Sequence, residues 1–385
     1  MKKIISLLGT VFFLLCSLPA VSQQTETKDG IRIIHNDKTG PLPGIELRLV
    51  RTIGGLEETD ENLAFGLPYD VDLDSAGNIY VLDTRNDRIQ KLDPDGKFLR
   101  SIGRRGQGPG EFQAIFSFDI DVNDRLHVFD VRNRRIQILT TKGRVKKTLK
   151  VTSSGMSKIR VSAGGDTILA QSPNFRDLAA SDSGLPKLIK RQDEKGHVKA
   201  EFGDMRDYGD DNVNVFANWL FLDMDNNDNI YLTFWYQNRI DKYAPDGTLL
   251  WRSDRKLNYK TEVIDKGYIK RGSGGTTVQT PEMNTVSEGL AADSRGRLWV
   301  ITLNRQMSRE EQGSSVSVGG QRKVMAEPKI KSMDIYKLEV FNSDGKLMGE
   351  LPLDHFAHGI RIVGDNLFIW ERNNAAVYQY KIVEE

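Results

Sequence analysis

The chain has 385 residues, 38% apolar and 28% charged, a balance that excludes a disordered or membrane-embedded protein and allows a large buried core. Lys and Arg total 54 against 53 Asp and Glu, so no charge surplus points to nucleic acid or anionic lipid as the main partner.

Residues 1–22 stand apart from the rest. Lys2 and Lys3 precede an apolar run from Ile4 to Leu15, and the small residues Ala20-Val21-Ser22 follow, the pattern of an export signal cleaved after Ser22. Ser17 and Pro19 break the run short of the roughly 20 apolar residues a membrane anchor needs. The one cysteine, Cys16, follows two leucines rather than the small residue that usually precedes a lipid-bearing cysteine. A chain processed after Ser22 therefore has no cysteine, which leaves no disulfide and no thiolate metal site. Loss of Lys2 and Lys3 also moves its net charge to about −1. The expected product is an exported monomer in the periplasm, on the outer surface or in the medium, without a transmembrane segment. Residues 23–44 read as a linker or edge segment in which Gly30-Ile-Arg-Ile-Ile-His35 is extended.

From residue 45 to 385 the sequence repeats. Asp74-Ser-Ala-Gly-Asn-Ile-Tyr-Val-Leu-Asp-Thr-Arg-Asn-Asp-Arg-Ile-Gln-Lys-Leu-Asp-Pro-Asp-Gly96 aligns without a gap to the segment from Asp225 to Gly247. A third copy includes Arg125-Leu-His-Val-Phe-Asp130, Asn133 and Arg135-Ile-Gln137. Weaker copies contain Asp166-Thr-Ile-Leu-Ala170, Arg297-Leu-Trp-Val-Ile301 and Asn366-Leu-Phe-Ile-Trp-Glu371, making six units. Each unit has short runs of β-branched and aromatic residues between Gly, Asn and Asp turns, with no long helical period. Four antiparallel strands repeated six times predict an all-β, six-bladed β-propeller.

The chain ends predict how the ring closes. The last unit stops after its third strand, at Lys381-Ile-Val-Glu-Glu385, whereas Glu46-Leu-Arg-Leu-Val-Arg-Thr-Ile-Gly54 matches the fourth strand of the first unit, Phe98-Leu-Arg-Ser-Ile-Gly103. The N-terminal strand should therefore complete the last blade and remove two open sheet edges.

Leu67-Pro68, Asp74, Gly77-Asn-Ile-Tyr-Val81, Asp83, Asn86, Arg88-Ile89 and Gly96 resemble the NHL repeat. The chain as a whole, over roughly residues 45 to 385, is similar to exported bacterial six-bladed propeller proteins. The likeness is strong in units one, two and four and poor in unit three. The recurring Asp83/Asn86/Arg88 set, echoed by Asp130/Asn133/Arg135, is expected to tie strands together, because a catalytic group is needed once and not in every repeat.

Strand order places four enlarged segments on one face: Ser172 to Pro186, Asp204 to Ala217, Ser253 to Val286 and Asn304 to Met333. Opposite turns stay short, as in Ser75-Ala-Gly77 and Asn226-Asn-Asp228. Binding usually resides in long loops on a rigid scaffold, so the enlarged face is the expected working face. Glycine and serine runs at Gly272–Gly275 and Gly313–Gly320 suggest two mobile loops there.

Ligand-binding candidates ring the mouth of the central channel on that face. They are Tyr69, Asp70, Asn218, Trp219, Glu288 and His358, with Phe112 and Gln113 at the corresponding place in the second blade. A Glu, an Asp and an Asn there could hold calcium through oxygen ligands, which resembles the site of propeller lactonases. His355 and His358 raise zinc as a weaker alternative, similar to propeller lyases that cleave peptidyl-hydroxyglycine, although His127, His35 and His197 are poorly placed to join them. Phe216, Trp219, Trp235 and Tyr236 could stack on a sugar or clamp a peptide, or fill space between blades.

Gly103-Arg-Arg-Gly-Gln-Gly-Pro-Gly-Glu-Phe112 has the composition of a phosphate cradle, but it lacks the P-loop spacing and opens no helix. As a crossover between blades it puts Arg104, Arg105 and Glu111 on the enlarged face as further ligand contacts. The expected function is binding of a protein, peptide or carbohydrate ligand through that face. The alternative is a metal-dependent hydrolase or lyase at the channel mouth.

Overall fold

The computed structural model describes residues 23–384 apart from 38–39, 152–157, 176–177, 179–183, 273–274, 313, 319–320, 327–328 and 331. The signal segment and its cleavage position lie outside the described residues.

Six antiparallel four-stranded blades form a ring. Blade 1 is Pro68–Leu73, Ile79–Asp83, Arg88–Leu92 and Phe98–Ile102. Blade 2 is Ile115–Ile120, Arg125–Asp130, Arg135–Thr140 and Val145–Lys150. Blade 3 is Ile159–Val161, Thr167–Ala170, Lys187–Gln192 and Val198–Asp204, and blade 4 is Leu220–Met224, Ile230–Phe234, Ile240–Tyr243 and Leu249–Arg255. Blade 5 is Ser287–Ala292, Leu298–Leu303, Tyr336–Phe341 and Leu347–Leu353. Blade 6 is Ile360–Val363, Asn366–Glu371, Ala376–Glu384 and, from the other end of the chain, Ile45–Gly54. That last pairing runs from Ile45 opposite Glu384 to Gly54 opposite Ala376, so the N-terminal strand closes the ring as expected. Innermost strands touch in cyclic order, the sixth against the first.

The core lies between blades. Val71, Ile79 and Val81 of blade 1 pack on Phe368, Trp370 and Val377 of blade 6, and Tyr80 and Leu82 pack on Phe118 and Val128 of blade 2. Second strands such as Ile79–Asp83 are covered on both faces, which is why they read as continuous apolar runs rather than alternating ones.

Two polar devices recur around the ring, one in blades 1, 2, 4 and 5 and the other in blades 1 and 2. At the short hairpins, the Asp74 carboxylate accepts from the Ala76 and Asn78 amides and from the Tyr80 hydroxyl at 2.8 Å. Asp121, Asp225 and Asp293 repeat this with His127, Tyr231 and Trp299, which gives His127 a structural place. On the other face, Asp83 accepts from Asn86, Arg88 and the Gly66 and Leu67 amides. Asp130 likewise takes Asn133, Arg135 and the Gln113 amide. The Asp/Asn/Arg set thus anchors the crossovers entering blades 1 and 2.

That device also explains the glycine-rich crossover. Arg135 donates to the Gly108 and Glu111 carbonyls, Asn133 to Gly106 O, and Gln137 to Glu111 O. Gly103, at φ +85°, lies under the Phe112 ring, and a Cβ there would stand 2.2 Å from it. Glu111 folds back on its own loop, accepting from the Gly108 amide at 2.9 Å and from Arg104 at 3.0 Å.

The segment before the propeller forms a belt. Ile31–Asn36 pairs in parallel with Leu249–Arg255, the outer strand of blade 4, and Gln23–Lys28 pairs outside it. Pro41 and Leu42 then bridge to Glu350 of blade 5 before the chain enters blade 6.

The enlarged segments carry more regular structure than their composition suggests. Asp204 to Ala217 ends in the helix Asp211–Ala217, capped by the Asp210 side chain on the Val213 amide. Tyr268–Gly272 with Gly275–Gln279, and Ser314–Val318 with Gln321–Ala326, form two-stranded hairpins around the glycine and serine runs. Residues 273–274, 313 and 319–320 of those runs, where the mobile loops were placed, lie outside the described residues.

Candidate functional site at the channel mouth

Each innermost strand begins at the enlarged face, and in three blades its first turn of chain is bulged. Tyr69, Phe116 and Glu288 are the extra residues between Pro68 and Asp70, Ile115 and Ser117, and Ser287 and Gly289. A bulge turns its extra side chain away from the ladder, which frees these three for the channel mouth.

Tyr69, Phe116, Lys158, Ser172, Trp219, Leu220, Phe221 and Trp235 line a cavity of about 70 Å³ there. Its walls are coupled rings. Tyr69 meets Phe116 edge-on at 5.3 Å, Trp219 meets Trp235 at 5.2 Å, and Phe221 meets Trp235 at 5.6 Å. Phe216 of the helix backs Trp219 at 5.1 Å, and Phe175 of the blade 3 insertion reaches Phe216.

Below the cavity, charge closes the channel. Lys158 Nζ lies 2.6 Å from Asp70 Oδ2. One layer deeper, Arg361 of blade 6 pairs with Asp72, Asp119 and Asp223 of blades 1, 2 and 4 at 2.8 to 3.1 Å. Arg160 joins Asp223 at 2.5 Å. Each of Asp72, Asp119, Asp223 and Arg160 stands opposite the same place in its second strand, at Tyr80, His127, Tyr231 and Ile168. The mouth is therefore a cup with an ionic floor. Burial, with Asp72 close by, pushes the Asp119 carboxyl up despite Arg361 and Arg160, which lets the layer shed its excess negative charge by holding a proton. Burial also lowers the Lys158 amine to about 8, against the pull of Asp70.

Beside the cup, blades 5 and 6 supply an ionic edge. Arg372 lies 3.5 Å from Glu288 and sits over the Tyr69 ring at 5.5 Å. Burial pushes the Glu288 carboxyl up to about 7, opposed by Arg372. His358 Nδ1 accepts from the Arg372 amide, and burial together with Arg372 lowers its pKa to about 3, so it is neutral.

The sequence candidates thus divide. Tyr69 and Trp219 line the cup, and Glu288 and His358 stand at its edge. Asp70 is fully buried beneath Lys158. Asn218, also fully buried, has its amide between the Arg206 and Asn214 carbonyls and accepts from the Arg206 amide, so it positions the helix. Phe112 is core and the Gln113 amide is bound by Asp130; the mouth position of blade 2 belongs to Phe116. Arg104, Arg105 and Glu111 are outside the cavity lining.

The donors that the sequence offered for calcium or zinc are held by other partners. Among the described residues no three His, Cys, Asp or Glu side chains gather as a ligand set. The channel carboxylates are already paired with Lys158, Arg160 and Arg361. His355 is buried among other partners, with its ring stacked 4.0 Å from Tyr378 and Nε2 bonded to the Tyr380 hydroxyl.

One family model matches this chain. It is DUF5128, a 6-bladed beta-propeller, over residues 50–156. No curated protein matches. Among solved structures, a member of the duf4221 family from Bacteroides vulgatus is 11% identical at a TM-score of 0.55, covering 89% of this chain and 100% of its own. A putative exported protein from Bacteroides fragilis is 9% identical at 0.54, covering 92% and 99%. Virginiamycin B lyase from Staphylococcus aureus is 13% identical at 0.48, covering 88% and 100%. At these identities the likeness is one of fold.

Proposed function

We propose that this protein is an exported, NHL-like propeller that binds a ligand at its enlarged face, and that the aromatic cup is where the ligand sits. One observation carries the reading: five aromatic side chains from blades 1, 2 and 4 surround a cavity whose floor is sealed by buried ion pairs. A concave apolar pocket with few polar groups is the usual form of a small-molecule site, and a sealed floor favours holding over passage. Calorimetric titration with small acids, oligosaccharides and peptides tests it. A ligand of the natural chain should lose its binding heat in the Phe116→Ala/Trp219→Ala double variant, and unchanged heat would sink the reading.

The alternative, a metal-dependent hydrolase or lyase at the same mouth, keeps one supporting feature, the Glu288 carboxyl at about 7, suited to proton transfer near neutrality. Stoichiometric metal retained through chelator dialysis and lost in Glu288→Gln would select it.

A further inference from the structure

The cup also carries information about the chemistry of its ligand, an inference that rests on the binding reading above. Among the described residues lining the cavity, Lys158 is the one that bears a charge, and no carboxylate lines it. Asp70, the counter-ion, is fully buried on the far side of the ammonium, so anything entering from above meets the cation first. An ammonium offers three donors, and a second acceptor can approach without displacing the first. A cationic ligand would be repelled at the same point. At the edge, Arg372 over the Tyr69 ring is paired with Glu288, so the selectivity rests on Lys158.

The walls restrict the rest of the ligand. Trp219, Trp235, Phe116 and Tyr69 present ring faces and edges to a space of about 70 Å³. An oligosaccharide does not fit in it; it admits the leading part of a single ring or apolar side group, with the remainder rising into the mouth. Ser172 supplies the one hydroxyl besides Tyr69 among these residues, too few donors and acceptors to read the many hydroxyls of a sugar.

We infer that the cup takes a small ligand with one flat apolar ring and one carboxylate, the ring among Phe116, Trp219 and Trp235 and the carboxylate on Lys158 Nζ. Charge-assisted hydrogen bonds from an ammonium to a carboxylate are about twice as strong as neutral ones, so the acid should be held much better than its amide.

The test uses the full chain and three probes, phenylacetate, phenylacetamide and cellobiose, read by calorimetry and tryptophan emission. Phenylacetate should bind about tenfold or more tighter than phenylacetamide, a difference of about 1.4 kcal/mol or more. Because Lys158→Gln alone strands Asp70, the Lys158→Gln/Asp70→Asn double variant removes the pair together; it should bind acid and amide alike. Equal affinity of the unaltered protein for acid and amide overturns the carboxylate and leaves the cup as a binding site. Cellobiose binding in place of both aryl probes overturns the ligand class and again leaves the cup. Silence with all three probes overturns the ligand class, while the cup variant under the binding reading still tests the site.

Discussion

Arg361 Nη1 donates to Asp223 Oδ1 at 2.8 Å, joining blade 6 to blade 4 through the centre of the ring. The same guanidinium holds Asp72 and Asp119, so three buried carboxylates share this one side chain, with Arg160 as a second cation on Asp119 and Asp223. Arg361→Met should therefore cost about 3–5 kcal/mol, the range for breaking a buried pair from one side. Urea unfolding measures it, and a loss below about 1 kcal/mol would show that the layer does not need its cation.

Ring closure rests on Ile45–Gly54 pairing with Ala376–Glu384. Deleting residues 23–55 exposes the third strand of blade 6 and the interior of its apolar cluster with blade 1. We expect a lower and broader thermal transition, as adjacent repeats stabilise one another. A melting temperature equal to that of the undeleted chain would refute closure as a source of stability.

Asn36 is 1% exposed and fastens the belt, donating to Ser253 Oγ, Asp254 O and Gly345 O and accepting from the Leu347 amide at 2.9 Å. Asn36→Ala should cost about 1–3 kcal/mol, because it leaves buried partners unsatisfied. Arg32→Ala, which removes a half-exposed contact to Asp344, should leave chemical denaturation unchanged. The reverse order of effects would place the belt's anchor elsewhere.

Glu288 gives a pH signature with a definite sign. Its carboxyl titrates near 7 in the fold against an ordinary value of 4.5, so the folded chain holds a proton that the unfolded chain releases between those values. The stability this contributes is complete below about 4.5 and is lost as pH rises towards about 7. Asp119, also raised, adds to the same trend. Melting temperatures of Glu288→Gln should fall less steeply across this window than those of the natural chain. Parallel slopes would mean that Glu288 is ionised throughout.

Much of the architecture was legible because it is written six times. Asp74, Asp121, Asp225 and Asp293 fix the hairpins, Asp83 and Asp130 fix the crossovers, and the orphan strand Glu46–Gly54 announces its partner. The site was only partly legible, because its residues are defined by what differs between repeats. Phe112 was expected at a position that Phe116 holds, since the crossover adds residues whose path depends on Arg135 and Gln137. Lys158 was missed because blade 3 is the irregular copy and its inner strand is only three residues long. A usable signal did exist: two residues before each hairpin stand Asp72, Asp119, Arg160, Asp223, Ala291 and Arg361. Three acids and two arginines in one register predict a paired layer across the channel. Bulges at Tyr69, Phe116 and Glu288 leave no such mark, because a one-residue insertion looks like ordinary loop variation.

The binding reading is tested most directly by isothermal titration of whichever probe the natural chain holds best, compared across two variants on the same face. Phe116→Ala/Trp219→Ala alters the cup, and Arg104→Ala/Arg105→Ala alters exposed crossover residues outside its lining. We predict that affinity falls by about tenfold or more in the first and stays the same in the second. Intact affinity in the cup variant, or loss confined to the arginine variant, would contradict the assignment of the channel mouth as the ligand site.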